Sequence, residues 1–183
     1  MRIDPSLRCR ARLAAVAAVV AVTTTIADLR AEPAASTGRN MSYYEVRRGL
    51  FAMSKIDAAP LVMLGDSLTE DGPWTDLAGF LQIANRGIGG DTTSKMRDRL
   101  DEVIALRPRA IFLMIGVNDI TLNIPRETTL DNLRAILARL SGSGAQVFFN
   151  YVLPVTASYH KKRINRDIAE LNGEFAKLAH GLP

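Results

Sequence analysis

The sequence predicts an α/β fold, a three-layer α/β/α sandwich built around a mainly parallel sheet. Four short apolar runs, at residues 61–64, 81–84, 110–115 and 146–153, alternate with segments of helical periodicity, which is the order of elements in such folds. The apolar residues in these runs are mostly consecutive and not alternating, as expected for parallel strands that are covered on both faces. The 183 residues, 48% of them hydrophobic and 23% charged, suffice for one domain with a substantial core.

Before the first strand, the sequence predicts a targeting segment, a linker and one helix. Residues 1–27 combine four arginines with an apolar stretch that ends in small residues, which is the layout of a secretory signal peptide. An uncleaved signal anchor is the alternative, but the apolar stretch is short for a membrane span. Residues 28–40 are rich in Ala, Pro, Ser, Thr and Gly and form the predicted linker. Residues 41–183 are the predicted domain, which begins with a helix at 41–54 and which we expect to be secreted or periplasmic.

Three further helices are predicted between and after the strands. Residues 93–106, 129–140 and 161–179 each place apolar side chains on one face at helical spacing. We interpret these faces as core packing and assign them no function. Gly142 and Gly144 follow the second of the three helices and are expected to end it.

Charge and cysteine content exclude several classes of function. The net charge is +4, of which four arginines and one aspartate in residues 1–27 supply +3. The remaining body is therefore nearly neutral, which argues against nucleic-acid binding. Cys9 is the only cysteine and lies in the first segment, so the body has neither disulfides nor thiolate metal ligands. Two distant histidines without a His-Glu-x-x-His motif predict no metal site, and no later segment is apolar for long enough to span a membrane.

The first candidate catalytic residue is Ser67, in the motif Gly-Asp-Ser-Leu at residues 65–68. The motif directly follows the first predicted strand, so the serine hydroxyl should project at the carboxyl edge of the sheet, where open α/β sheets bind their ligands. The helix that begins there would offer backbone N–H groups to a developing anion. The alternative is that Ser67 is only a helix N-cap, and Asp66 is interpreted as structural.

Two further motifs offer hydrogen-bond donors at the same edge. Residues 85–91, Asn-Arg-Gly-Ile-Gly-Gly-Asp, lack the spacing of a nucleotide-binding loop, and Gly90 is interpreted as a backbone N–H donor. The alternative is a tight turn that needs glycine only for a positive φ. In residues 116–119, Gly-Val-Asn-Asp, the side-chain amide of Asn118 is the other candidate donor, with turn capping as the alternative. Asp119 is interpreted as structural.

Together the three motifs resemble the blocks of the GDSL, or SGNH, hydrolase family, and the resemblance extends over residues 60–179. It implies a flavodoxin-like sandwich and a serine hydrolase that needs no metal or cofactor. It further implies that Ser67 is the nucleophile, and that the oxyanion hole consists of the backbone N–H groups of Ser67 and Gly90 and the side chain of Asn118. The implied substrates are small-molecule carboxylic esters and thioesters, including those of lipids and acylated sugars.

The sequence departs from the family pattern near its C-terminal end. The family's last block is an aspartate three residues before a histidine, and it completes the catalytic triad. Here the histidines are His160 and His180, and the residues three positions before them are Ala157 and Lys177. We therefore expect a C-terminally truncated sequence that lacks this block and the last strand, has impaired activity and exposes a sheet edge. His160 as a substitute general base is the alternative, whereas His180 is expected at the opposite edge of the sheet.

Two other functions are compatible with the motifs. One is a catalytically inactive remnant that binds acylated or sugar ligands in the same pocket. The other is a flavodoxin-like cofactor-binding module, which the absence of phosphate-binding spacing disfavours. Trp74 and Phe80 are candidates to line the acyl or alcohol pocket, with core packing as the alternative.

Overall fold

The computed structural model describes residues 41–79, 82–156 and 162–180, all within one compact unit. The described residues form a sheet of four strands, all parallel, in the order β2-β1-β3-β4. The strands are β1 (Leu61–Gly65), β2 (Ile83–Gly87), β3 (Ala110–Met114) and β4 (Gln146–Phe149). The predicted α/β fold with a parallel sheet is confirmed.

The register of the sheet aligns the carboxyl ends of its central strands. Gly65, the last residue of β1, is paired with Gly87 of β2 on one side and with Met114 of β3 on the other. Parallel strands that end in line send their following loops out at one edge. The segments that carry the three motifs therefore leave the sheet side by side.

Helices precede, connect and follow the described strands. Among the described helices, none combines the length and apolar character that a membrane-spanning helix requires. The helices are α1 (Tyr43–Met53), α2 (Ser67–Glu70), α3 (Trp74–Ala78), α4 (Thr93–Arg97), α5 (Leu100–Ile104), α6 (Val117–Thr121), α7 (Arg126–Ser141) and α8 (Lys162–His180).

One hydrophobic core joins the sheet to the later helices. Strands β1 and β3 and helices α4, α5, α7 and α8 all contribute fully or almost fully buried side chains to this core. The apolar faces predicted for the three helical segments are thus confirmed as core packing. Representative core residues are Val62, Leu64, Met96, Leu100, Ile111, Leu113, Leu133, Ile136, Ile168 and Phe175.

The two faces of β3 and β4 are covered unequally. Ile111 and Leu113 are fully buried on one face of β3. On the other face, Phe112 is half-buried and stacks on Phe148 of β4, with 4.7 Å between the ring centroids. Phe148 itself is 39% exposed. An apolar aromatic surface therefore lies at the β4 side of the described sheet.

Helix α1, predicted at residues 41–54, is present and begins with a capping box. The backbone N–H of Ser42 donates to Glu45 Oε2 at 2.7 Å, and the backbone N–H of Glu45 donates to Ser42 Oγ at 3.3 Å. None of its residues is buried. The helix is held on the body by polar contacts, including an ion pair of 3.1 Å between Arg48 and Glu102.

Two strand predictions differ from the structure by more than one residue at their ends. The second strand, predicted at 81–84, runs from Ile83 to Gly87 because residues 85–87 pair with residues 63–65 of β1. The first part of the second motif therefore lies in the strand and not after it. The fourth strand, predicted at 146–153, ends at Phe149.

The helix predicted at 93–106 is two short helices, α4 and α5. The interruption occurs at Arg99, whose backbone has φ −120° and ψ 13°. The Arg99 side chain is fully buried and makes hydrogen bonds that a continuous amphipathic helix would not require. The helix predicted at 129–140 begins earlier, at Arg126, because Pro125 takes the N-cap position.

Candidate active site

Ser67 is the first residue of α2 and follows β1 after a single residue. Asp66 is the N-cap of this helix, and its Oδ1 accepts a hydrogen bond of 3.1 Å from the backbone N–H of Leu68. The alternative that Ser67 is itself the N-cap is therefore wrong. Because Ser67 stands at the helix start, its own N–H has no acceptor within the helix. The Ser67 residue is half-buried, so it borders the surface.

Asp66 is almost completely buried, with 1% of its surface exposed. Burial raises the pKa of its carboxyl group, while the hydrogen bond from the Leu68 N–H acts in the opposite direction. Its contact is with the backbone of α2. This geometry agrees with the structural interpretation of Asp66.

Two glycines allow α2 to lie directly on the strand ends. A Cβ atom placed on Gly65 would lie 2.0 Å from Thr69 Oγ1 and 2.7 Å from the carbonyl oxygen of Met114. One placed on Gly87 would lie 2.2 Å from the backbone nitrogen of Glu70. The close approach of α2 to β1 and β2 therefore requires glycine at both positions, and it sets the position of Ser67.

Gly90 occupies a tight turn after β2. The backbone N–H of Asp91 donates to the carbonyl oxygen of Ile88 at 3.1 Å, and Gly90 has φ +73°, as the third residue of a type II turn requires. A Cβ atom at Gly90 would meet no atom within 4 Å. Glycine is needed here for the backbone angle, as in the turn alternative. The turn is also compatible with a donor role, since Gly90 is exposed.

Asn118 is the second residue of α6, directly after β3. Its Nδ2 donates to the carbonyl oxygen of Asp91 at 2.8 Å. The N-cap position of α6 belongs to Gly116, with φ +126°, so Asn118 is not the cap of this helix. An asparagine amide has two N–H bonds. The bond to Asp91 orients the group and leaves the second hydrogen for another acceptor.

The structure brings the three predicted site residues to one edge of the sheet. A Cβ atom on Gly89 would lie 3.9 Å from the Cβ of Ser67, so the residue before Gly90 adjoins the serine. The residue after Gly90, Asp91, carries the carbonyl that Asn118 contacts. Gly90 therefore lies between Gly89, which adjoins Ser67, and Asp91, which contacts Asn118.

A buried ion pair holds this turn in place. Arg99 and Asp91 are both fully buried, and Arg99 Nη2 lies 2.7 Å from Asp91 Oδ2. The same Nη2 atom also donates to the carbonyl oxygens of Gly65, at 3.2 Å, and Arg86, at 2.9 Å. Arg99 therefore ties the Gly90 turn to the ends of β1 and β2. The sequence analysis missed this role, although an arginine within an apolar helical stripe is a detectable signal.

Burial raises the pKa of Asp91 to about 6, although the charge of Arg99 and its hydrogen bonds act in the opposite direction. The carboxyl group is consequently mostly ionised at pH 7 and mostly protonated at pH 5. Mild acid therefore protonates the carboxyl group and removes the ionic part of its contact with Arg99.

Asp119 fastens the start of α4 to α6. Its Oδ2 accepts from the backbone N–H of Thr93 at 3.0 Å, and its Oδ1 accepts from Thr93 Oγ1 at 2.5 Å. Asp119 is 1% exposed, and Asn132 of α7 donates to the same threonine hydroxyl at 3.2 Å. These contacts agree with the structural interpretation of Asp119.

A second charged cluster, also missed by the sequence analysis, lies beside Ser67. Glu70 Oε2 accepts from the backbone N–H of Gly89 at 2.6 Å, and Glu70 Oε1 lies 2.9 Å from Arg47 Nε. The Tyr43 hydroxyl also donates to Glu70 Oε1. This hydrogen bond raises the pKa of Tyr43 above its ordinary value, so the hydroxyl is a donor at neutral pH.

The remaining predicted residues have other positions. Trp74 is half-buried, and its Nε1 donates to the carbonyl oxygen of Thr69 at 2.6 Å, which fastens α3 to α2. Phe80 and His160 lie outside the described residues, and His180 is the last residue of α8. Among the described residues, no group of three or more His, Cys, Asp or Glu side chains could hold a metal ion.

Comparisons with known proteins identify the family and the fold. A sequence model of the GDSL-like Lipase/Acylhydrolase family matches residues 63–182. A protein from Streptococcus pneumonia, provisionally assigned as a platelet activating factor, is similar with a TM-score of 0.64 and 28% identity, over 75% of this chain and 68% of that chain. A search of curated proteins gives no significant match.

Two more distant structures share the fold. A GDSL-like lipase from Bacteroides thetaiotaomicron has a TM-score of 0.62 and 21% identity, over 75% of this chain and 73% of that chain. An acetylxylan esterase from Geobacillus stearothermophilus has a TM-score of 0.59 and 18% identity, over 70% of this chain and 75% of that chain.

Proposed function

The chain belongs to the GDSL-like lipase/acylhydrolase family, and on this premise we propose that it is a serine esterase that forms an acyl-enzyme on Ser67. Membership makes it an esterase or acylhydrolase. The nucleophile, the oxyanion hole and the substrate are the parts that we propose. The single observation that supports them most is the contact of the Asn118 amide with the Asp91 carbonyl, with Gly90 alongside.

In the proposed reaction, the Ser67 oxygen attacks the carbonyl carbon of an ester or thioester. The serine gives its proton to a general base, and the carbonyl oxygen becomes an oxyanion. The alcohol or thiol then leaves with a proton, and water hydrolyses the acyl-enzyme to release the acid and regenerate the serine. Each half of the reaction passes through a tetrahedral intermediate whose oxyanion must be stabilised.

We assign the oxyanion donors to the backbone N–H groups of Ser67 and Gly90 and to the side-chain amide of Asn118. The support is that α2 begins at Ser67, that the type II turn holds Gly90, and that Asn118 is already oriented by a hydrogen bond of 2.8 Å. Donors fixed before the reaction need no reorganisation when charge develops. Removing one such donor typically lowers kcat by about 10²- to 10³-fold.

The proposed substrates are small-molecule carboxylic esters and thioesters, with lipid and sugar esters as the natural classes. Support comes from the family and from the acetylxylan esterase that shares the fold. We also propose that the mature protein is secreted or periplasmic after removal of residues 1–27. N-terminal sequencing of the protein exported from cells tests that proposal.

The decisive test of the nucleophile is labelling with a fluorophosphonate probe. The parent chain should be labelled on Ser67, and Ser67→Ala should abolish labelling. Ser143→Ala is the matched control, because that serine lies after α7 and donates to the carbonyl oxygen of Leu140. Peptide mapping that finds the label elsewhere, or no label in the parent chain, would refute the proposed mechanism.

The identity of the general base is tested by His160→Ala. If His160 accepts the Ser67 proton, the rate of ester hydrolysis should fall by about 10²- to 10⁴-fold. An unchanged rate would exclude His160 as the base. His180→Ala is the matched control. His180 is the last residue of α8, and the sequence predicts that it lies at the opposite edge of the sheet.

The second candidate function is a catalytically inactive protein that binds acylated or sugar ligands at the same place. It is favoured by one observation, that neither histidine follows an aspartate at the family's spacing. Calorimetric binding of an unreactive ester analogue, without labelling by the fluorophosphonate, is the result expected for this function.

A further inference from the structure

Helix α1 reaches the candidate active site through one carboxylate. Tyr43 and Arg47 lie one turn apart on α1, and both contact Glu70 Oε1, the arginine Nε at 2.9 Å. Glu70 is the last residue of α2, the helix that begins with Ser67. A helix far from Ser67 in sequence is thus attached to the helix that carries the nucleophile.

The same carboxylate also holds the loop that carries Gly90. The other oxygen, Glu70 Oε2, accepts the backbone N–H of Gly89 at 2.6 Å. Arg47 Nη2 donates to the carbonyl oxygen of Gly87 at 3.1 Å. The loop is therefore bonded to this cluster on both sides of Ile88, immediately before the proposed oxyanion donor.

The Tyr43 ring and the Ser67 side chain both adjoin Gly89. A Cβ atom placed on Gly89 would lie 3.4 Å from Tyr43 Cε1, 3.3 Å from Glu70 Oε2 and 3.9 Å from Ser67 Cβ. The Tyr43 ring, the Glu70 carboxylate and the Ser67 side chain thus all lie close to Gly89. Tyr43 is 56% exposed and Leu68, next to Ser67, is 48% exposed, so apolar surface flanks the serine. Because the Tyr43 hydroxyl is bonded to Glu70, its ring face is the part available to a substrate.

We propose that Tyr43 is a specificity-determining residue that contacts an apolar chain of the ester substrate, and that Glu70 is a positioning residue for the Gly89–Gly90 peptide. This proposal rests on the proposed function. Tyr43 and Arg47 precede residues 63–182, which the family model matches, so the family match assigns no role to α1. In this proposal α1 is a wall of the ester site.

Two fluorophosphonate probes, one with an ethyl and one with a decyl chain, test the role of Tyr43. The measured quantity is the ratio of their rates of Ser67 labelling in the full chain. Tyr43→Ala should lower the ratio of decyl to ethyl rates about tenfold, which corresponds to about 1.4 kcal/mol of apolar contact. Tyr43→Phe keeps the ring and should keep the ratio.

Tyr44→Ala is the matched control for this experiment. Tyr44 is the adjacent tyrosine of α1, and its hydroxyl donates to the carbonyl oxygen of Lys95 at 3.0 Å, away from the Glu70 cluster. Its substitution weakens the attachment of α1 without removing the ring beside Ser67. A ratio that falls equally in Tyr44→Ala and Tyr43→Ala would overturn the specificity role.

The positioning role of Glu70 predicts a different pattern. Glu70→Ala should slow labelling by both probes equally and shift the NMR resonance of the Gly89 amide, because the 2.6 Å hydrogen bond is lost. Glu70→Gln retains an acceptor oxygen and should restore most of the rate. Loss of rate without a change at the Gly89 amide would overturn the positioning role.

Labelling of the parent chain distinguishes a failure of the proposed function from a failure of the Tyr43 role alone. If neither probe labels Ser67 in the parent chain, the proposed function is wrong, and the roles of Tyr43 and Glu70 are overturned with it. If both probes label Ser67 and the ratio is the same in Tyr43→Ala, only the specificity role is overturned.

Discussion

Arg99 shows how a single buried side chain determines the shape of the candidate site. Its guanidinium donates to the Asp91 carboxylate and to two strand-end carbonyl groups, and no part of the side chain is exposed. Removing a charge from water is costly unless it is paired and hydrogen-bonded. The pair is therefore expected to be sensitive to the loss of either partner.

Substitution of Arg99 by Met should destabilise the protein strongly. Asp91 would remain buried without the ion pair and the hydrogen bonds of Arg99, and breaking a buried pair on one side typically costs about 3–5 kcal/mol. The double variant Asp91→Asn with Arg99→Met should lose less, since no ionisable group is left buried without its partner. Urea unfolding followed by circular dichroism at pH 7 measures both, and a loss below about 1 kcal/mol in Arg99→Met would contradict this account.

The raised pKa of Asp91 predicts how the pH affects stability. Its ordinary pKa is 3.8 and its folded-state pKa is about 6, so the folded state binds more protons between these values. The stabilisation from this group is present below about pH 4 and is lost as the pH rises through about 6. The free energy of unfolding of Asp91→Asn, minus that of the parent chain, should therefore increase between pH 4 and pH 6.5.

Denaturant unfolding at the two pH values measures this difference. Asp66, whose pKa is also raised by burial, is present in both proteins and cancels in the comparison. A difference that stays constant, or decreases as the pH rises, would show that Arg99 outweighs burial at Asp91.

At the scale of single residues, the sequence predicted those residues that lie in a short local motif. Ser67, Gly90 and Asn118 stand in short motifs at strand ends, and the structure places them near one another. Arg99 and Glu70 were missed because their partners come from distant segments, such as Gly65 and Gly89. Only the folded arrangement shows which backbone groups these charges contact.

At the scale of elements, α2 is short and depends on close packing against the strands. A Cβ atom on Gly87 would lie 2.2 Å from the backbone nitrogen of Glu70, and a backbone atom cannot move aside as a flexible side chain can. The position of the nucleophile therefore depends on two glycines of the adjoining strands.

Gly87→Ala should destabilise the protein by about 1–3 kcal/mol, the usual cost of inserting a carbon into a well-packed site. Gly173→Ala is the matched control, because Gly173 is exposed in α8 and a Cβ atom there would meet nothing within 4 Å. That change should stabilise the protein by about 0.5–1 kcal/mol through helix propensity. Thermal unfolding compares the two variants, and equal effects would refute the packing argument.

The boundaries of elements were predicted less well than their existence. Backbone pairing with β1 extends β2 to Gly87, although the sequence there is polar and rich in glycine. The interruption between α4 and α5 falls at Arg99, whose buried side chain is bonded to the ends of β1 and β2. In both places a tertiary contact, absent from the local pattern, decides where the element ends.

At the scale of the whole molecule, β4 is the last strand on its side of the described sheet and carries exposed apolar side chains. Phe148 is 39% exposed, and Tyr151 and Leu153 in the following segment are 51% and 55% exposed. Exposed apolar edge strands favour association with other chains.

We expect concentration-dependent self-association that Phe148→Lys reduces, because a charged side chain on an edge strand opposes pairing. Leu77→Lys is the matched control, since Leu77 is 73% exposed on α3. Sedimentation velocity over a range of concentrations measures the effect. Equal behaviour of both variants and the parent chain would show that the β4 surface does not mediate association.

The order of the strands, β2-β1-β3-β4, has a consequence for where a catalytic centre can arise. In the sheet, β2 lies on one side of β1 and β3 lies on the other. The order in which successive strands are added therefore reverses at β1. Loops that diverge at such a switch point leave a crevice between them. Ser67 follows the strand at this reversal, and the motifs after β2 and β3 form the opposing walls of the crevice. The topology of the sheet therefore places the candidate site at the end of β1, independently of which side chains occur there.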